Sequence, residues 1–197
     1  MRSRRWVIPV VLVGIALFAG EFVAPAAGAT TNRALERLLG KSMFSADEGT
    51  RMQRAFAAAL QAGVDDRDAL ALVEACVEGE FDASQILRML SIAAQLALER
   101  LPVNGFVAKT EEGVSKRVAA DRIVQVAERR ALMLNKAKTI LNSLVLEGFS
   151  VDDRDELLPD LAEALEAGRK PDEARAILSE ALQSGEGTGS IRRKLFP

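Results

Sequence analysis

The chain has 197 residues with 26 Lys and Arg against 28 Asp and Glu, no His, no Tyr, one Trp and one Cys. Without imidazole there is no Ser-His-Asp or Cys-His nucleophile pair, no histidine general base and no His-ligated zinc, haem or copper. A single thiol excludes an internal disulfide, and a net charge of −2 with no clustered basic face excludes nucleic acid as the expected partner.

Arg2, Arg4 and Arg5 precede the apolar run Trp6 to Gly20, and the small residues Ala27-Gly28-Ala29 stand before Thr30. This order predicts a secretory signal peptide over residues 1–29, with Ala27 and Ala29 as the small residues read at the cut. The stretch Ser3-Arg4-Arg5-Trp6-Val7-Ile8 partly resembles a twin-arginine motif, while the strongly apolar run behind it favours the general secretory route. The alternative is an uncleaved inner-membrane anchor, but the run is closed by Glu21 and falls short of the ~20 apolar residues of a spanning helix. Cleavage takes three Arg and one Glu, leaving a net charge of −4. The lone Cys76 is far from the cut, so no lipid attachment is expected there. The product is expected in the periplasm or outside the cell, with no stable membrane span.

From Thr31 onward apolar residues recur at spacings of three and four with no strict alternation, which predicts helix throughout. Met52, Ala55, Phe56, Ala59 and Leu60 form one stripe, and Leu70, Val73, Cys76 and Val77 the next. Ile86, Leu90, Ala93 and Ala97 form a third, in a segment apolar on most sides and so central. A long helix is expected from Ala119 to Leu146 with Ile123, Val126, Ala127, Leu134, Ala137, Leu141 and Leu144 in phase. Ala174, Ile177, Leu178, Ala181 and Leu182 make the last stripe. Gly40, Gly63, Gly79, Gly113, Gly148, Gly168 and Gly185 read as helix stops. Ser45 with Glu48, and Asp82 with Gln85, read as N-caps, and Pro171 as a first helical residue. The predicted fold is all-α: about seven or eight helices in consecutive antiparallel hairpins, forming a small bundle or short α-solenoid over residues 30–184. Residues 185–197 are expected to be a flexible tail.

The pairs Glu78-Gly79, Glu112-Gly113 and Glu147-Gly148 suggest a weak repeat with the period of helical hairpins. Leu161 to Leu182, with Gly168, Ala174, Leu178 and Ala181, resembles a tetratricopeptide hairpin, although Lys170-Pro171 adds a residue to the turn. The segment Leu101-Pro102 through Lys109, Glu112-Gly113, Lys116, Ile123, Arg129-Arg130 and Ala137 resembles uncharacterised exported helical proteins of bacteria. That resemblance implies an envelope address and no activity.

The clusters Asp65-Asp66-Arg67-Asp68 and Asp152-Asp153-Arg154-Asp155 would suit a divalent cation by composition, but their position before apolar stripes suits helix caps. Paired carboxylates are the one general acid–base system available, so the alternative function is a carboxylate-dependent cell-wall enzyme with Glu112 or Glu147 as acid. The lack of Trp and Tyr after cleavage speaks against sugar stacking. A further alternative is an apolar-ligand carrier, with its ligand between the Ile86–Leu98 helix and its neighbours. Arg192, Arg193, Lys194, Leu195 and Phe196 combine cations with apolar side chains and are the candidate partner-binding residues. The composition predicts no catalytic residue, no cofactor and no metal. The chain reads as an exported, non-catalytic protein–protein interaction module whose partner is another envelope protein.

Overall fold

The computed structural model describes residues 26–40, 44–151 and 153–196, and for residues 26–30 the backbone alone. The predicted signal segment up to residue 25 lies outside the described residues. Among the described residues there are nine helices and no strand: α1 (Ala26–Gly40), α2 (Ala46–Gln61), α3 (Asp66–Glu78), α4 (Ala83–Leu98), α5 (Asn104–Ser115), α6 (Ala120–Leu146), α7 (Arg154–Glu166), α8 (Pro171–Gln183) and α9 (Thr188–Leu195).

Local chemistry sets the helix starts. Ser45 and Glu48 form a reciprocal capping box on α2, as do Asp82 and Gln85 on α4, and Pro171 opens α8. Asp65 accepts from the Arg67 N–H at 2.9 Å, so it caps α3 as expected. Asp153 stands at the N-cap of α7 without a side-chain bond, and Asp152 lies outside the described residues.

The seven helices α2 to α8 all close in the same way, with one N–H reaching back five residues and the preceding N–H three. This double bond satisfies carbonyls the helix leaves free and requires a left-handed residue. Gly63, Gly148, Gly168 and Gly185 supply it, with φ from +66° to +102°. At α3, α4 and α5 the residue is Glu80, Arg100 or Arg117, with φ of 54–56°. Gly79 and Gly113, expected as left-handed stops, do something else. A Cβ on Gly79 would lie 2.8 Å from Phe81 Cε2 and 2.9 Å from Val114 Cγ2, and one on Gly113 would lie 3.0 Å from Ile123 Cγ1. Gly113 sits inside α5 and lets α6 approach it; Gly79 lets Phe81 fold back under α3.

The helices stack in two rows. Even-numbered helices meet in the order α2, α4, α6, α8, and odd-numbered ones as α1, α3, α5 and then α7, α9, with sequential neighbours bridging the rows. Every substantial contact joins helices no more than two apart in the chain, which is an open, solenoid-like array. α4 is central, burying Ile86, Met89, Leu90, Ala93 and Leu96 against α2, α3 and α6. Cys76 is wholly buried, and burial pushes its thiol up to about 12, so it behaves as a small apolar side chain.

The flexible-tail expectation for residues 185–197 does not hold. Gly185 terminates α8 with φ +66°, and Gly187 adopts the extended N-cap geometry of α9, so the glycines serve as turn residues between two helices. Ile191 and Leu195 of α9 are buried, and Arg169 Nε donates to the Leu195 carbonyl at 2.9 Å. α9 closes the odd row on α7 and α8.

Substitutions at these positions should separate local strain from packing. Gly79→Ala should destabilise by about 1–3 kcal/mol, because the buried Phe81 ring must shift. Arg100→Gly should stabilise by about 0.5–1 kcal/mol through relief of left-handed strain. Leu195→Ala should cost about 2–5 kcal/mol, whereas a frayed tail would leave the urea midpoint unchanged.

Candidate functional site

The site follows from a mismatch of lengths. α6 has 27 residues, whereas α5 has 12 and α7 has 13. α5 lies on the start of α6, where Gly113 meets Ile123, and α7 runs back along α6 from Asn142, whose Oδ1 accepts from Arg154 at 2.6 Å, to Arg130 near the middle, which meets Glu166. α5 and α7 therefore do not stack on one another as the other successive odd helices do. Between them is a groove of about 260 Å³. Its apolar floor is Phe106, Ile123 and Ala127, all buried, with Val118 and Val126 exposed at 38% and 50%.

Charged groups close the two ends. At one, Glu112 accepts from Lys109 Nζ at 2.7 Å and Lys116 Nζ at 2.5 Å. The hydrogen bond from Lys109, then that from Lys116, holds the Glu112 carboxyl down at about 2. At the other end Arg130 Nη1 donates to Glu166 Oε2 at 3.0 Å, and Arg129 Nη2 donates to the Glu166 carbonyl at 2.9 Å. Glu166 Oε1 is buried and has no hydrogen-bond partner. Thr110, the one buried polar residue of the core described, already donates its hydroxyl to the Phe106 carbonyl at 3.0 Å.

Glu112 is poorly placed to serve as a general acid. A general acid must hold its proton near neutral pH, and Glu112 is fixed as a carboxylate. Glu147 caps α6 and pairs with Arg175 of α8, so the two carboxylates suggested by sequence are each engaged by cations. A second, larger cleft of about 500 Å³ between α4, α6 and α7 exposes Leu98, but Lys138 spans it to Glu99 and Arg154 lines its wall.

Of the sequence-predicted partner residues, Arg192, Arg193 and Phe196 line one shallow hollow together with Glu163, whereas Lys194 and Leu195 lie outside it. Leu195 points into the core and Phe196 is half-buried. Arg192 faces Asp160 at 3.7 Å, and Lys194 pairs with Glu186 at 2.7 Å and Glu180 at 3.8 Å. Arg193 remains on the surface beside Glu163 in a shallow hollow. Ala27 and Ala29 fall in the first turn of α1, with side chains outside the described residues. The groove residues Val118, Val126, Arg130 and Glu166 were not candidates from sequence. Val126 read as a core position because its spacing is in phase; the unusual length of α6 was the available signal. No family model matches the chain, and comparisons with curated proteins and with solved structures give no match either.

The Glu112 clamp makes a testable claim about pH. The group's folded value lies below the ordinary 4.5, so its contribution is present above pH 4.5 and is lost as pH falls towards 2. The Glu112 carboxyl carbon should titrate by NMR with a midpoint near 2, and Glu112→Gln should remove that part of the acid sensitivity. A midpoint at 4.5 would mean that the clamp is open in solution.

Proposed function

We propose that the chain is an exported, non-catalytic protein–protein interaction module of the bacterial envelope, with the α5–α6–α7 groove as its contact surface. The observation that carries this reading is the interrupted odd row, which leaves Val118 and Val126 exposed on an apolar floor between charged ends. Concave surfaces of helical arrays are a common recognition device. An apolar centre with a polar rim is the anatomy of a protein interface. The export half of the proposal is supported by Arg2, Arg4 and Arg5, the apolar run to Gly20 and the Ala27-Gly28-Ala29 cut. Cutting before Thr30 removes only the first turn of α1 and keeps its buried Leu35 and Leu39.

Two measurements test the reading. Mass spectrometry of the product from the native envelope fraction should find an N-terminus at Thr30; a chain retained in the cytoplasm with its first residues intact would overturn export. Chemical cross-linking in the same envelope should yield one reproducible protein partner that, once purified, binds in a saturable titration. Recovery of wall polymer or lipid in its place would overturn the interaction-module reading.

A further inference from the structure

We infer that the groove receives an amphipathic helix of the partner, which fills the missing position between α5 and α7 with two apolar side chains. This rests on the interaction-module reading above and specifies what the partner presents.

Three observations lead to it. The first is the stacking pattern. α1 on α3, α3 on α5 and α7 on α9 are all helix-on-helix contacts, and among the described residues the α5-to-α7 step makes at most a marginal one. The trough is walled by α5, floored by α6 and closed by Glu166 at the end of α7, and side-chain ridges of a further helix pack into such a surface.

The second is size. The groove holds about 260 Å³, and a protein cavity of roughly 150 Å³ takes one benzene, so there is room for one side chain of leucine or phenyl size and a smaller apolar one beside it. Sites that engulf a whole small ligand run to about 300–1,000 Å³. The helix backbone therefore stays at the mouth while two residues one turn apart, at i and i+3 or i+4, reach the floor at Val126 and Ile123.

The third is the chemistry of the ends. Lys109 and Lys116 share one carboxylate, Glu112, which leaves that end with an excess positive charge. An acidic residue flanking the anchors complements it. At the far end Arg130 occupies Glu166 Oε2 and balances its charge, while Oε1 stays buried without a donor. A basic helix matches neither end.

The test is selection from a displayed library of helical peptides against the full chain, with two variants as controls. Val126→Arg fills the floor with a charge, and Val145→Arg places the same charge at the other end of α6, where the side chain is 47% exposed and outside the groove. Both positions are surface-exposed, and matching melting curves for the two variants exclude misfolding. Enriched peptides are expected to carry two apolar residues three or four apart, at least one of them large, with an acidic flank. They should bind Val126→Arg at least tenfold more weakly and Val145→Arg within about twofold of the parent chain. No enrichment, enrichment of extended or basic sequences, or affinity unmoved by Val126→Arg would each overturn the inference. Saturable uptake of dansyl-undecanoic acid that Val126→Arg abolishes, with no peptide enriched, would also overturn it and assign the groove to a small apolar ligand. If the envelope partner isolated by cross-linking binds Val126→Arg normally, the interaction-module reading survives and the groove assignment alone falls.

Discussion

Everything distinctive in this array depends on the continuity of α6. At about 1.5 Å per residue, its 27 residues make a rod of about 40 Å, twice the length of α5 or α7. One half buries Ile123, Val124 and Ala127 among α4 and α5, and the other buries Leu134, Ala137, Ile140, Leu141 and Leu144 among α4, α7 and α8. A break in α6 would let α7 fold back onto α5 and complete the odd row. Because no Gly or Pro interrupts residues 120–146, the helix runs through, α5 and α7 take different halves, and the groove is what remains between them.

Burial and charge divide the work along this rod. The large buried side chains, among them Phe56, Phe106, Ile86, Leu134 and Leu141, supply the stabilisation. Ion pairs sit on the seams: Arg88 with Glu128 and Lys138 with Glu99 between α4 and α6, Arg130 with Glu166 between α6 and α7, Arg175 with Glu147 between α6 and α8. Largely exposed pairs of this kind are worth about 0–1 kcal/mol each. They act more on register than on stability, because a helix slipped by one turn would separate all of its partners. Arg130 and Glu166 are the least exposed of the set, and they fix the end of α7 that defines one side of the groove.

The parts of this structure that sequence made legible are those set by a few consecutive residues. The capping boxes at Ser45 and Asp82, Pro171 at the start of α8, the left-handed Gly63, Gly148, Gly168 and Gly185, and both ends of α6 within a residue all follow from local rules. The misread positions depend on distant neighbours. Gly113 looks like a stop, and Gly79, the C-cap of α3, like a left-handed one, because a glycine that permits close approach and one that permits positive φ are the same letter; only Phe81, Val114 and Ile123 distinguish them. The Gly-rich approach to residue 188 looks like a linker until α7 offers Ile191 and Leu195 a surface to bury against. Val126 has core spacing but lacks the helix that would cover it. The groove was unreadable for the same reason, since it is defined by a contact that two short helices fail to make.

Glu at the C-terminal ends of α4, α6 and α7 has a physical account in the packing, which among the three Glu-Gly pairs of the weak repeat covers Glu147. A carboxylate in the last turn opposes the helix dipole at a cost of about 0.3–1 kcal/mol. At α4, α6 and α7 that carboxylate is met by a cation from another helix: Lys138 on Glu99, Arg175 on Glu147, Arg130 on Glu166. Lys138 Nζ also donates to the Glu99 carbonyl at 2.8 Å, and Arg129 Nη2 donates to that of Glu166. The acid thus acts as a tether that brings a cation onto carbonyls the helix cannot satisfy itself, where positive charge is favourable. The local penalty is offset by a bond across the seam, so these glutamates mark places where one helix is pinned to another.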